Sequence, residues 1–211
     1  MDLATCLRRS DEFDTALIAA LGVDQYRVFD GSKKVAASFA AAQLSLEHAR
    51  AFRVLIEHEH SLSATGLLRL QFESLVRAVW ILFAAPDETI DMLMTPIQAD
   101  HVESPKVVPM APGMLNQLEG KAPAHILQML MQFKDVSWNS LNSFVHSGIH
   151  PLQRKLGGYP ESLLQQIVVM SNGLLLITGM AFAVLSGRQG LTKSVAALQG
   201  RFIDCLPVVN Q

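Results

Sequence analysis

Apolar residues recur at steps of three and four along most of the chain, and no stretch alternates convincingly with a period of two. The first spacing lines one face of a helix, whereas the second would line one face of a strand. The pattern therefore predicts an all-α protein. A helix over 10–21 opens at Ser10, carries Asp11 and Glu12 in its first turn, and stops at Gly22. An N-cap hydroxyl, early acids and a terminal glycine are the residues that helix ends require.

A long helix follows from about 32 to 59, with Val35, Phe39, Ala42, Leu46, Ala49, Phe52 and Ile56 on one face. Alanines at 36, 37, 40, 41 and 42 favour helix and allow close approach of a neighbour. The next helix covers about 63–85 and stops at Pro86, and a short one covers 87–94. Residues 95–113 contain Pro96, Pro105, Pro109 and Pro112 and read as one long loop, a lid or an excursion. Helices resume over about 123–146, 161–186 and 191–205, with a turn at Gly157-Gly158-Tyr159-Pro160. The expected architecture is a single antiparallel helical bundle of about seven helices, forming one domain over 1–211.

Composition narrows this picture. Half of the 211 residues are hydrophobic, only 17% are charged, and the formal net charge is −2. That balance excludes a disordered chain, and basic runs never exceed two residues, so there is no general nucleic-acid footprint. Low charge suggests that some exterior is covered, most simply by a second copy, which makes a homodimer the expected state. Cys6 and Cys205 have no metal-ligand spacing and read as reduced thiols of a cytoplasmic protein. The first nine residues lack the grammar of a signal peptide. Residues 167–185 match a membrane span in length, yet Ser171, Asn172, Gly173, Thr178 and Gly179 interrupt them. A buried core or dimer helix is expected there, and no membrane partner.

One contradiction points to chemistry. The helix around 67–83 is apolar nearly all round, but Arg69, Glu73 and Arg77 form a narrow charged stripe at helical spacing. Charges in such surroundings require partners or a water-filled cavity. Glu73 can pair with either arginine, which leaves positive charge to spare. The stripe is either an internal ion network that sets helix register or a site for an anion such as phosphate.

The seven histidines offer no metal motif, and neither a metal nor another cofactor is expected. His146 differs from the others. It ends the stretch Trp138-Asn139-Ser140-Leu141-Asn142-Ser143-Phe144-Val145-His146, with Ser147-Gly148 as a terminator. Asn142, one turn back, and Ser143 are available to orient its imidazole, and a histidine held that way can move protons near neutral pH. The plainer alternative is a helix-terminal histidine satisfying carbonyl groups. Pro151 is expected to keep His150 out of helical geometry.

The segment from Leu67 to Trp80, with its Arg69-x-x-Phe72-Glu73 core, resembles a helix of bacterial proteins of unknown function grouped with the HEPN-like superfamily (higher eukaryote and prokaryote nucleotide-binding). There a second helix ends in a Ser/Asn-x-x-His pattern, similar to Asn142-Ser143-Phe144-Val145-His146 here. The resemblance spans about 30–185. It implies an antiparallel bundle, often dimeric. It also implies kinship with metal-independent endoribonucleases of toxin–antitoxin, abortive-infection and other phage-defence systems. In those relatives an arginine stands a few residues before the histidine, whereas Ser140, Leu141 and Asn142 fill that window here. By the resemblance, His146, Arg69 and Arg77 are the expected catalytic residues. Glu73, Asn142, Ser143 and His150 would bind or position, and RNA or a nucleotide and a cognate antitoxin or partner protein would be the partners. The alternative is a non-catalytic dimeric module that binds RNA, a nucleotide or a protein.

Overall fold

A computed structural model describes residues 1–22, 25–96 and 108–207. Among the described residues there are nine helices and no strand. The all-α reading holds, with two more helices than the sequence pattern suggested.

Helix α1 (Leu3–Leu21) starts earlier than expected. The Asp2 carboxylate caps it by accepting from the Thr5 N–H at 2.8 Å, and Gly22 closes it at φ 63°. Ser10, expected as the cap, is buried in mid-helix, where its hydroxyl donates to the Cys6 carbonyl at 2.7 Å. Asp11 and Glu12 are not first-turn acids either: Asp11 pairs with Arg53, and Glu12 with Arg8 and Arg9. The local sequence held two competent caps, and burial of Cys6, one turn before Ser10, goes with the earlier one.

Helices α2 (Lys33–Glu57) and α3 (Ser61–Phe83) form the closest pair in the fold, an antiparallel hairpin. Ser32 caps α2 through the Val35 N–H. Glu59 turns the chain at φ 62°, and the His60 N–H returns to the Leu55 carbonyl at 2.8 Å. Ser38 donates to the Ala78 carbonyl at 2.8 Å and Ser45 to that of Gln71 at 3.0 Å, so the register is constant along the pair. Buried Ala37, Ala41, Ala42 and Ala49 provide the close approach that the alanine pattern implied.

Helix α4 (Asp87–Met94) follows Pro86. The expected loop at 95–113 is partly helical: α5 (Ala111–Gln117) starts with Pro112 in its first turn, where a missing N–H costs nothing. Met114, Leu115 and Leu118 are buried, and the Trp80 indole N–H donates to Gln117 at 2.8 Å. The stretch 97–107 of that expected loop lies outside the described residues.

Helix α6 (Ala124–Val145) packs on α3, and α7 (Ile149–Gly157) follows after a tight link. His150 is the second residue of α7, contrary to the expectation from Pro151. A proline in the first turn of a helix lacks only an N–H that would have no partner there.

Helix α8 (Glu161–Leu185) contacts α1, α2, α3 and α9 (Leu191–Arg201). It is the one described helix long and apolar enough to cross a membrane, and 67% of its most apolar stretch is buried in the protein. Its polar interruptions explain its place. Ser171 donates to Gln71 at 2.7 Å, and the Gln71 amide donates back to the Ser171 carbonyl at 2.9 Å. Asn172 donates to Ser10 and to the Cys205 carbonyl, and Thr178 meets Ser45 at 3.0 Å. Buried polar groups satisfied this specifically fix one packing of the helix, as expected for a core element. Gly179 lets α1 come close: a Cβ there would lie 2.5 Å from a Leu17 methyl.

Candidate functional site

Helices α3 and α6 run antiparallel, because Phe72 meets Phe133 and Trp138 while Arg69 meets Trp138 and Asn142. This crossing brings the two sequence motifs together. Arg69 is 5% exposed. Its Nε donates to Glu73 Oε1 at 2.9 Å, one Nη donates to Asn142 Oδ1, and the guanidinium lies over the Trp138 ring at 4.3 Å. A planar cation between a carboxylate, an amide oxygen and an indole face is well held, through two hydrogen bonds and a cation–π contact.

The partners differ from the sequence reading in three respects. Asn142 serves Arg69, not His146. Ser143 serves the next helix: its hydroxyl accepts from the His150 N–H at 3.1 Å, and its carbonyl accepts from the Gly148 N–H at 2.8 Å. With Ser147 at φ 52°, this is the six-to-one closure of a Schellman end. Gly148 is required there, since a Cβ would lie 2.6 Å from Ser143 Oγ. The third difference is the His146 imidazole, which is exposed and makes no hydrogen bond among the described residues. Its position is nonetheless close, since it stands one turn, ~6 Å of helical rise, beyond the residue that Arg69 touches.

Arg77 is not brought to this point. It is exposed, and it lies eight residues beyond Arg69 on α3, ~12 Å of rise, in the direction opposite to His146. The antiparallel crossing is the cause, because advancing along α3 means moving back along α6. The stripe thus splits into a buried pair, Arg69–Glu73, and a solvent-facing arginine. His150 lies near the ring of Phe144, with 6.4 Å between centroids, and Phe144 also contacts Tyr159.

Sequence reasoning missed Trp138, although it precedes Asn142 by one helical turn and so shares its face. It also missed a cavity of ≈ 360 Å³ between the start of α3 and α7, lined by His60, Ser61, Ser63, Arg154, Lys155 and Tyr159. Tyr159 shares a 2.9 Å hydrogen bond with Thr65, and burial raises its phenol pKa. A denser ion network than the stripe lies between α1 and α2. Buried Arg53 reaches Asp14 and Asp11, and Arg50 reaches Asp14 at 2.9 Å. Among the described residues, Arg53 Nη1 is buried without a hydrogen-bond partner. No cluster of three or more His, Cys, Asp or Glu suited to a metal occurs among the described residues.

The described residues form an all-α bundle with a buried arginine between α3 and α6. More specifically, the model of a family of unknown function, DUF6988, matches residues 42–208, and the chain belongs to that family. Both motif helices fall inside the matched region. Comparison with curated proteins and with solved structures gives no match.

Proposed function

We propose that this protein is a HEPN-like RNA-handling module, a metal-independent endoribonuclease in which His146 moves the proton. One observation carries the reading: Arg69 on α3 binds Asn142 on α6, one turn before His146, so the two motifs of the resemblance meet. In this reading His146 takes the proton from a ribose 2′-hydroxyl as the oxygen attacks the adjacent phosphate, and later returns a proton to the leaving 5′-oxygen. Arg69 is a positioning residue, since its charge is committed to Glu73 and its contacts hold the end of α6. Exposed Arg77 belongs to the approach of the RNA strand, not to the reacting phosphate. The reading includes a homodimer and a role in defence or toxin–antitoxin biology.

A second reading, a non-catalytic binding module, draws on the same pair. A guanidinium that is 95% buried and already engaged is poorly placed to neutralise a phosphate in the transition state. One experiment separates the two. Purified wild type, His146→Ala and Arg69→Met are incubated with a labelled oligoribonucleotide in the presence of a chelator. Cleavage by wild type that His146→Ala abolishes supports the nuclease. RNA binding without cleavage in every variant supports the module, and neither cleavage nor RNA binding refutes the nuclease and restricts the module to a nucleotide or protein ligand.

A further inference from the structure

Helix α7 is built inside out. At ~100° per residue, Ile149, Leu152 and Leu156 share one face of α7. That face is turned to solvent: Ile149 is 63% exposed, Leu152 60% and Leu156 90%. No residue of α7 is buried, and the side nearer the protein carries Pro151 and Arg154, the latter over the Tyr159 ring. Nine residues are too few to hold a helix by propensity alone, so an apolar face turned outward indicates a missing surface.

Two properties specify that surface. The first is charge. From Val136 to Pro160 the chain has no acidic residue, while Lys155 is an exposed cation beside the apolar face and Arg154 adds positive charge next to it, with Glu59 lining the same cavity as both. The second is size. A helix of nine residues is ~14 Å long and ~10 Å across, a footprint of ~140 Å², far below the ~800 Å² per partner of a stable protein interface. A nucleic acid would engage the cations but would leave the aliphatic stripe uncovered.

We propose that α7 docks this protein reversibly on an anionic phospholipid surface, with Ile149, Leu152 and Leu156 entering the headgroup boundary and Lys155 contacting lipid phosphate. Short amphipathic helices with basic flanks bind membranes this way, and such binding does not require a spanning segment. The sequence reading excluded a membrane partner on the basis of residues 167–185. The docking helix lies elsewhere, and its test reads lipid binding, not RNA cleavage.

The test is flotation of the full chain with phosphatidylglycerol-containing vesicles and with pure phosphatidylcholine vesicles, alongside Leu152→Asp/Leu156→Asp and Lys155→Glu. These side chains are exposed, so the variants retain the fold, which thermal melting checks. Wild type floats with the anionic vesicles, and the double variant loses this at least tenfold. Lys155→Glu changes the charge by two and loses roughly 25-fold, about fivefold per unit charge near an anionic surface. Absence of wild-type flotation, equal binding to neutral vesicles, or unchanged binding by the double variant overturns the proposal. So does a wild-type dimer, in sedimentation without lipid, that the double variant converts to monomer.

Discussion

Replacing each partner of the Arg69–Glu73 pair in turn gives opposite expectations. In Glu73→Gln the guanidinium remains, 5% exposed, with its countercharge gone. Breaking a buried pair from one side costs ~3–5 kcal/mol and an exposed pair less than ~1. With side-chain exposures of 6% for Arg69 and 23% for Glu73, and with the glutamine still accepting a hydrogen bond, the cost is ~2 kcal/mol. In Arg69→Met a flexible apolar chain lies on Trp138, the guanidinium no longer needs to leave water, and Glu73 and Asn142 are accessible enough to be solvated. Lost hydrogen bonds and relieved desolvation nearly cancel, leaving ~0–1 kcal/mol. For a chain of this size ~2 kcal/mol lowers Tm by ~4–8 °C. The assay is urea and thermal unfolding of wild type and both variants at low salt. Arg69→Met less stable than Glu73→Gln refutes the reasoning, because the desolvation cost would then not be what makes the pair sensitive.

Three further expectations follow from the packing. Gly179→Ala forces a Cβ into the buried Leu17 side chain and destabilises by ~1–3 kcal/mol, readable as a fall in the urea midpoint. Burial raises both thiols, Cys205 to about 12, so neither reacts with a thiol reagent at pH 8 in the folded protein. Both react after denaturation, and fast native labelling of either contradicts the buried assignment. Burial lowers the His48 pKa below its ordinary 6.5, only partly offset by Glu47. The unfolded chain then binds the proton first, so stability is full above about pH 6.5 and falls as pH drops through the folded pKa. His48→Gln should flatten the unfolding midpoint over that range, and an unchanged slope would show that His48 does not carry it.

Helix existence was legible because burial in a bundle imposes the 3.6 period that the apolar residues display. Helix ends were not, since Asp2 and Ser10 are both competent caps and only the burial of Cys6 between them separates the two. Prolines misled twice, at Pro112 and Pro151, because each lies in a first turn where a lost N–H has no partner to lose. At the site, spacing offered Glu73 both Arg69 and Arg77, and the fold pairs it with Arg69. The loss of Asn142 to Arg69, and of Ser143 to the His150 backbone, depends on how α3, α6 and α7 cross. Local spacing near His146 carries no information about those crossings. The Arg53–Asp14 network was invisible for the same reason: its members are distributed over two helices.

The central claim is that His146, beside the Arg69–Asn142 contact, acts on RNA. Its most direct measurement is the rate of oligoribonucleotide cleavage in chelator by wild type and by His146→Ala at matched stability. The account predicts cleavage by wild type and at least a hundredfold loss in the variant, the scale of removing a general acid–base group. Equal rates in the two proteins, or no cleavage by either, would contradict it.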